Sequence, residues 1–151
     1  MSAPEIIKKC MLLCLLIMAA WTDSREMRIS NKLLGAACGF WILFPVAEWF
    51  LTGGRVLIRY GAVLAKSLLL VLALVCLVIL SRCAIGFGDV KLLGAVSLYG
   101  GPGTALDCLS YGLLLAGGVS LVLLAAGRLG IRDRLPLAPF FLAGYALTLL
   151  A

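Results

Sequence analysis

Residues 56–80 read VLIRYGAVLAKSLLLVLALVCLVIL, with Arg59 and Lys66 as the only charges and none beyond position 66. Wound as an α-helix, a stretch of this length reaches about 37 Å, more than the roughly 30 Å hydrocarbon core of a bilayer. The apolar residues run continuously instead of alternating, which argues against a barrel strand. In lipid the backbone groups of such a segment must be satisfied within it, and a helix does this. Similar runs recur along the chain. Spans are expected at residues 6–22, 33–51, 56–80, 89–103, 106–126 and 135–151. Of the 151 residues 64% are hydrophobic and 13% charged. That is too little polar surface for a soluble globule of this size and excludes a disordered chain. The expected fold is all-α: a polytopic membrane protein, about six transmembrane helices in a compact bundle, as a single domain over residues 1–151.

The formal net charge of +6 comes from 13 Lys and Arg against seven acids. The cations sit at the ends of apolar runs, so they read as topology signals facing a cytoplasm and anionic lipid, not as a nucleic-acid surface. The connections after spans one, three and five hold Arg25, Arg28 and Lys32, then Arg82 and Lys91, then Arg128, Arg132 and Arg134, eight of the 13. This bias places the odd-numbered connections in the cytoplasm and both termini outside. The first span has a basic start and ends near Ala19-Ala20, like a signal peptide. More membrane spans follow it, so it is expected to be retained. The fourth span is short and closes on Gly100-Gly101-Pro102-Gly103, which suggests a broken, tilted or partial crossing.

Six cysteines (Cys10, Cys14, Cys38, Cys76, Cys83 and Cys108) contain no CxxC pair, and histidine is absent. Neither a tetrahedral zinc site nor Ser-His or Cys-His chemistry is expected, and no cofactor is implied. Cys10 and Cys14 share a helical face at i, i+4 spacing and read as packing residues. Two acids stand out by position. Asp23 closes the first span, and Asp89 opens the fourth within Gly86-Phe87-Gly88-Asp89-Val90-Lys91. With the orientation above, both lie at one membrane face on different helices. Two carboxylates in one low-dielectric site cannot both ionise cheaply and share a proton. One then activates water while the other donates to a carbonyl, as in aspartic proteases. The blander reading makes Asp89 a helix cap and Asp23 the point where a helix leaves the bilayer. Gly86 and Gly88 permit unusual dihedrals and close backbone approach, so that an extended substrate can lie beside Asp89.

The stretch Gly86-Phe87-Gly88-Asp89-Val90-Lys91-Leu92 resembles the GxGD signature, with its following Lys-Leu, of type IV prepilin peptidases. Asp23 with Ile29-Ser30-Asn31 resembles that family's first motif, an Asp followed by Ile-Pro-Asn. Leu135-Pro136-Leu137-Ala138-Pro139-Phe140 resembles its last-helix pattern, Ile-Pro-x-x-Pro-Phe. The resemblance covers about residues 10–151. It implies that Asp23 and Asp89 are a catalytic pair. The implied reaction is removal of a short basic leader from prepilin or pseudopilin precursors at the cytoplasmic face of a bacterial inner membrane. Ser30 stands where the family usually has proline. The paired CxxC loop of the larger, N-methylating members has no counterpart, so the chain resembles the short, peptidase-only form used with Flp or Tad-type pili or secretion pseudopilins. Presenilin-like GxGD proteases fit less well: Thr22 precedes the first acid and no Pro-Ala-Leu occurs.

Other residues have simpler readings. Glu48, beside Trp49, faces a polar interior or the outer interface, the interface being the favoured account. Lys91 holds a headgroup or a substrate carbonyl, or only marks the membrane boundary. Asn31 caps the second helix or bonds the loop carrying Asp23, the cap being the simpler account. Asp107 is expected on the far side and Asp133 in a solvated loop. Pro136 and Pro139 start the last helix, and the resemblance adds that they shape the site together with Phe87. The competing function class is a small transporter or assembly subunit with Asp23 and Asp89 as proton or cation sites. A transporter would be expected to put its acids near the midplane.

Overall fold

The computed structural model describes residues 3–26, 30–52, 55–80, 86–127 and 136–150. Six helices follow in order: α1 (Ala3–Glu26), α2 (Asn31–Thr52), α3 (Arg55–Leu80), α4 (Phe87–Gly100), α5 (Pro102–Ala125) and α6 (Ala138–Leu150). There is no strand among the described residues. The expected spans match these helices to within a few residues. Three are long and apolar enough to cross a membrane, over Asn31–Phe50, Ile58–Leu80 and Pro102–Ala125. Much of their surface is exposed Leu, Ile, Val and Phe: Phe50, Leu68, Leu69, Leu114 and Val122, among others, face outward. Such a surface suits lipid and not water.

α4 is the exception that organises the rest. Its 14 residues extend only about 21 Å, short of a full crossing. Its helix is continuous, not broken. Val90, Leu92, Leu93, Ala95, Val96, Ser97 and Tyr99 are all buried, as expected of a helix apolar on every side. Polar bonds tie it to its neighbours. The Trp41 indole N–H donates to the Leu98 carbonyl at 2.7 Å, and the Tyr99 hydroxyl to the Ala37 carbonyl at 2.7 Å. The buried Ser97 hydroxyl donates to that of Ser67 at 2.8 Å.

The turn from α4 to α5 is tight because Gly101 has φ of +90°, a conformation that other residues rarely adopt. Gly101 closes α4 through its N–H on Ser97 and opens α5 through its carbonyl, which accepts from Ala105. Pro102 then takes the first position of α5, where a missing N–H costs nothing. α5 and α6 lie unusually close. A Cβ at Gly144 would come within 2.8 Å of the Cys108 carbonyl oxygen, and one at Gly112 within 2.6 Å of the Phe141 ring. Small residues bring helix backbones together where lipid removes the usual hydrophobic drive.

α1 turns Leu12, Leu15, Leu16, Ala19, Ala20 and Asp23 inward, the i, i+3, i+4 pattern of one face. Cys10 and Cys14 share the opposite face and are exposed. Their packing role within the chain is therefore not found; of the cysteines described, Cys108 is the buried one.

Candidate active site

Asp23 lies in the last turn of α1 and is 7% exposed. Its Oδ2 accepts a hydrogen bond from the backbone N–H of Ala138 at 3.0 Å. Ala138 is the first residue of α6, and its N–H is one of the donors a helix start leaves without an internal partner. The carboxylate thus meets both the donor and the positive end of a helix. The contact spans 115 residues of sequence.

Asp89 lies in the first turn of α4, outside the three helices long enough to cross. Its N–H bonds the Gly86 carbonyl at 3.1 Å. The N-cap is Gly86, with no side-chain cap bond, so Asp89 is not the cap that a bland reading makes it. Burial first, and the charge of Asp23 second, push the Asp89 carboxyl up from an ordinary 3.8 to about 6. The fold therefore brings the two acids near enough to act on one another. No ion pair to either is present among the described residues. Nor does any group of three His, Cys, Asp or Glu there form a metal-binding cluster.

Gly86 matters for space and not for dihedral freedom. Its φ of −69° and ψ of 133° suit any residue, which corrects the expectation of an unusual conformation. A Cβ there would stand 2.9 Å from Asp89 Oδ2, so the bare backbone leaves the carboxyl its position. Phe87 is exposed and Gly88 half-buried.

Lys91 is bonded to α2 and forms no ion pair with either acid. Its Nζ donates to Asn31 Oδ1 at 3.1 Å and pins the start of α2 to α4. Asn31 is not the cap of α2. That position falls to Ser30, whose carbonyl accepts from the Leu34 N–H at 3.3 Å. Pro136 and Pro139 are half-buried around the Ala138 N–H. Ile29, Cys83, Asp133 and Leu135, and the loop cations Arg28, Arg82, Arg128, Arg132 and Arg134, lie outside the described residues. What residue identity does not reveal is the Ala138 donor itself, because every residue but proline carries a backbone N–H.

A different polar site occupies the other end of the bundle. Lys8, two-thirds of the helix away from Asp23 or about 22 Å along α1, bonds the Tyr60 hydroxyl and pairs with Glu48 at 3.5 Å. Its ammonium also lies over the Phe44 and Tyr60 rings at 5.5 and 4.5 Å. Glu48 thus meets a cation from another helix at this end of the bundle. The reason is that Lys8 falls inside a helix and needs a counter-ion. A cleft of about 430 Å³ opens beside this network, lined by Glu5, Lys9, Arg59 and Asp107 among others. Asp107 is therefore remote from the acid pair, as expected.

An all-α membrane protein with two carboxylates converging at one end is the class that fold and site define. Residues 10–126, which include both Asp23 and Asp89, match the type IV leader peptidase family. The chain belongs to that family and is a peptidase. Searches of curated proteins and of solved structures found no match.

Proposed function

We propose that the protein is an aspartic endopeptidase that removes the basic leader from type IV pilin-like precursors, of the Flp/Tad or pseudopilin kind, with Asp23 and Asp89 as the catalytic pair. The observation that carries this reading is the action of the Asp23 charge on a half-buried Asp89. A carboxyl that titrates near neutrality is suited to hold and release a proton during hydrolysis. Membership of a peptidase family supplies the reaction class. In this reading the apolar segment of the precursor lies against the lipid-facing helices. Its cleavage junction extends past Gly86 and Phe87, and the site faces the cytoplasm of a bacterial inner membrane, where the loop cations point. Both acids sit in terminal turns of their helices, which favours a protease over a midplane transport site.

Co-expression with a basic-leader pilin-like precursor tests the proposal. The intact protein is expected to shift the precursor's mobility on a gel. Asp23→Asn and Asp89→Asn are each expected to lower cleavage by about 100- to 10,000-fold while the protein still inserts. Full processing by purified Asp89→Asn would overturn the assignment.

A further inference from the structure

The two acids stand in unlike settings, and the difference separates their roles. Asp23 is nearly buried and receives the Ala138 N–H on Oδ2. An N–H donates to a lone pair, so this bond rewards the carboxylate form, and bonds to an ionised acceptor are the stronger kind. Asp89 has Gly86 against its Oδ2 and, among the described side chains, no hydrogen-bond donor of its own. Among the described residues, the charged groups around the pair do not change this balance. Within α1, Arg25 stacks over Trp21 at 4.6 Å. On α2, Lys32 is exposed. On α4, Lys91 is bonded to Asn31. The first turn of α6 and the last turns of α3 and α5 carry no charge.

We infer that the backbone N–H of Ala138 is a positioning group that holds Asp23 as the ionised member of the pair, so that Asp89 keeps the shared proton. This rests on the peptidase reading and assigns its two roles. Asp23 takes a proton from water as the water oxygen bonds to the scissile carbonyl carbon. Asp89 gives its proton to the carbonyl oxygen, leaving a gem-diol. On collapse the C–N bond breaks, Asp23 passes its proton to the departing nitrogen, and a gem-diol hydroxyl returns one to Asp89. Both carboxyls end as they began.

The test follows the aspartate carboxyls by ¹³C NMR in the full-length protein in lipid nanodiscs without substrate, beside cleavage assays across pH. The resonance that titrates near pH 6 is expected to vanish in Asp89→Asn and to move to lower pH in Asp23→Asn. Ala138→Pro removes the donor at a first helical position, where proline is tolerated. It is expected to shift protonation onto Asp23 and to lower kcat by about 10- to 100-fold. Ala138→Gly keeps the N–H, and with it the wild-type proton placement, so loss of the donor is separated from loss of packing. The inference is overturned if the near-neutral resonance disappears in Asp23→Asn and survives in Asp89→Asn. It is also overturned if folded Ala138→Pro keeps the wild-type titration and pH profile. Failure of the intact protein to cut any basic-leader precursor sinks the peptidase reading instead, and the substrate-free titration still decides where the proton resides.

Discussion

At one end of the bundle a cation inside a helix meets an anion, a hydroxyl and two aromatic rings; at the other, two carboxyls meet with no cation between them among the described residues. Lys8, Glu48 and Tyr60 join α1, α2 and α3. Asp23 and Asp89 join α1 and α4, and α6 adds one N–H. Opposite charges brought out of water offset part of each other's desolvation cost. Like charges add to it, and nothing in the folding free energy favours such a pair. The first arrangement explains how the helices stay together. The second costs stability, and the cleft of about 430 Å³ beside Lys8 is not lined by either acid.

The contrast breaks most easily at Lys8. Replacing it with Met takes the cation from Glu48, which is 20% exposed, and is expected to cost about 1–3 kcal/mol of stability, read as a lower Tm in detergent. The Lys8→Met, Glu48→Gln double variant is expected to recover part of that loss, as a coupled pair should. An unchanged Tm in Lys8→Met would mean that the network is decoration.

The helix seam behind the acids is a control of similar size. Gly144→Ala would bring a Cβ to 2.8 Å from a backbone oxygen, which cannot swing aside. It is expected to destabilise by about 1–3 kcal/mol and to loosen the α6 end that supplies the Ala138 donor. A Tm equal to wild type would refute the close approach of α5 and α6.

At the acid end the sign reverses. The folded state holds the Asp89 proton up to about pH 6 against an ordinary 3.8. The contribution of this group is thus fully present below about pH 3.8 and is lost as pH rises through about 6. Asp89→Asn, which cannot ionise, is expected to remove that decline and melt above wild type at pH 7 while losing activity. A pH–Tm profile unaffected by the substitution would show that Asp89 is not the perturbed group.

The smallest effect on stability is expected at Gly86. Gly86→Ala suits the backbone but displaces the Asp89 carboxyl, the flexible end of a side chain. Stability is expected to change by under about 1 kcal/mol, while cleavage falls roughly 10-fold through misplacement of the acid. Wild-type cleavage by this variant would show that the carboxyl does not need the space.

Much of this was legible before any coordinates. Six helices follow from uncharged runs such as residues 67–80, because a lipid-spanning segment must be long and apolar and this leaves a plain linear trace. Asp23 and Asp89 stand out because an acid bordering such a run is expensive. The pairing of Glu48 with Lys8 could not be read, because the two lie 40 residues apart and nothing local announces the pair. Cys10 and Cys14 were given the right common face but the wrong direction, since spacing fixes a face and leaves open whether it points to protein or lipid.

The linear order of residues thus determined the helices, their apolar surfaces and the two acids worth watching, since each depends on composition within a single turn or span. The tertiary structure alone decided that α4 is a short buried core, that Lys8 and Glu48 compensate one another, and that the first N–H of α6 lands on Asp23. Each of these is a contact between distant segments, and a backbone donor has no letter in the sequence to mark it.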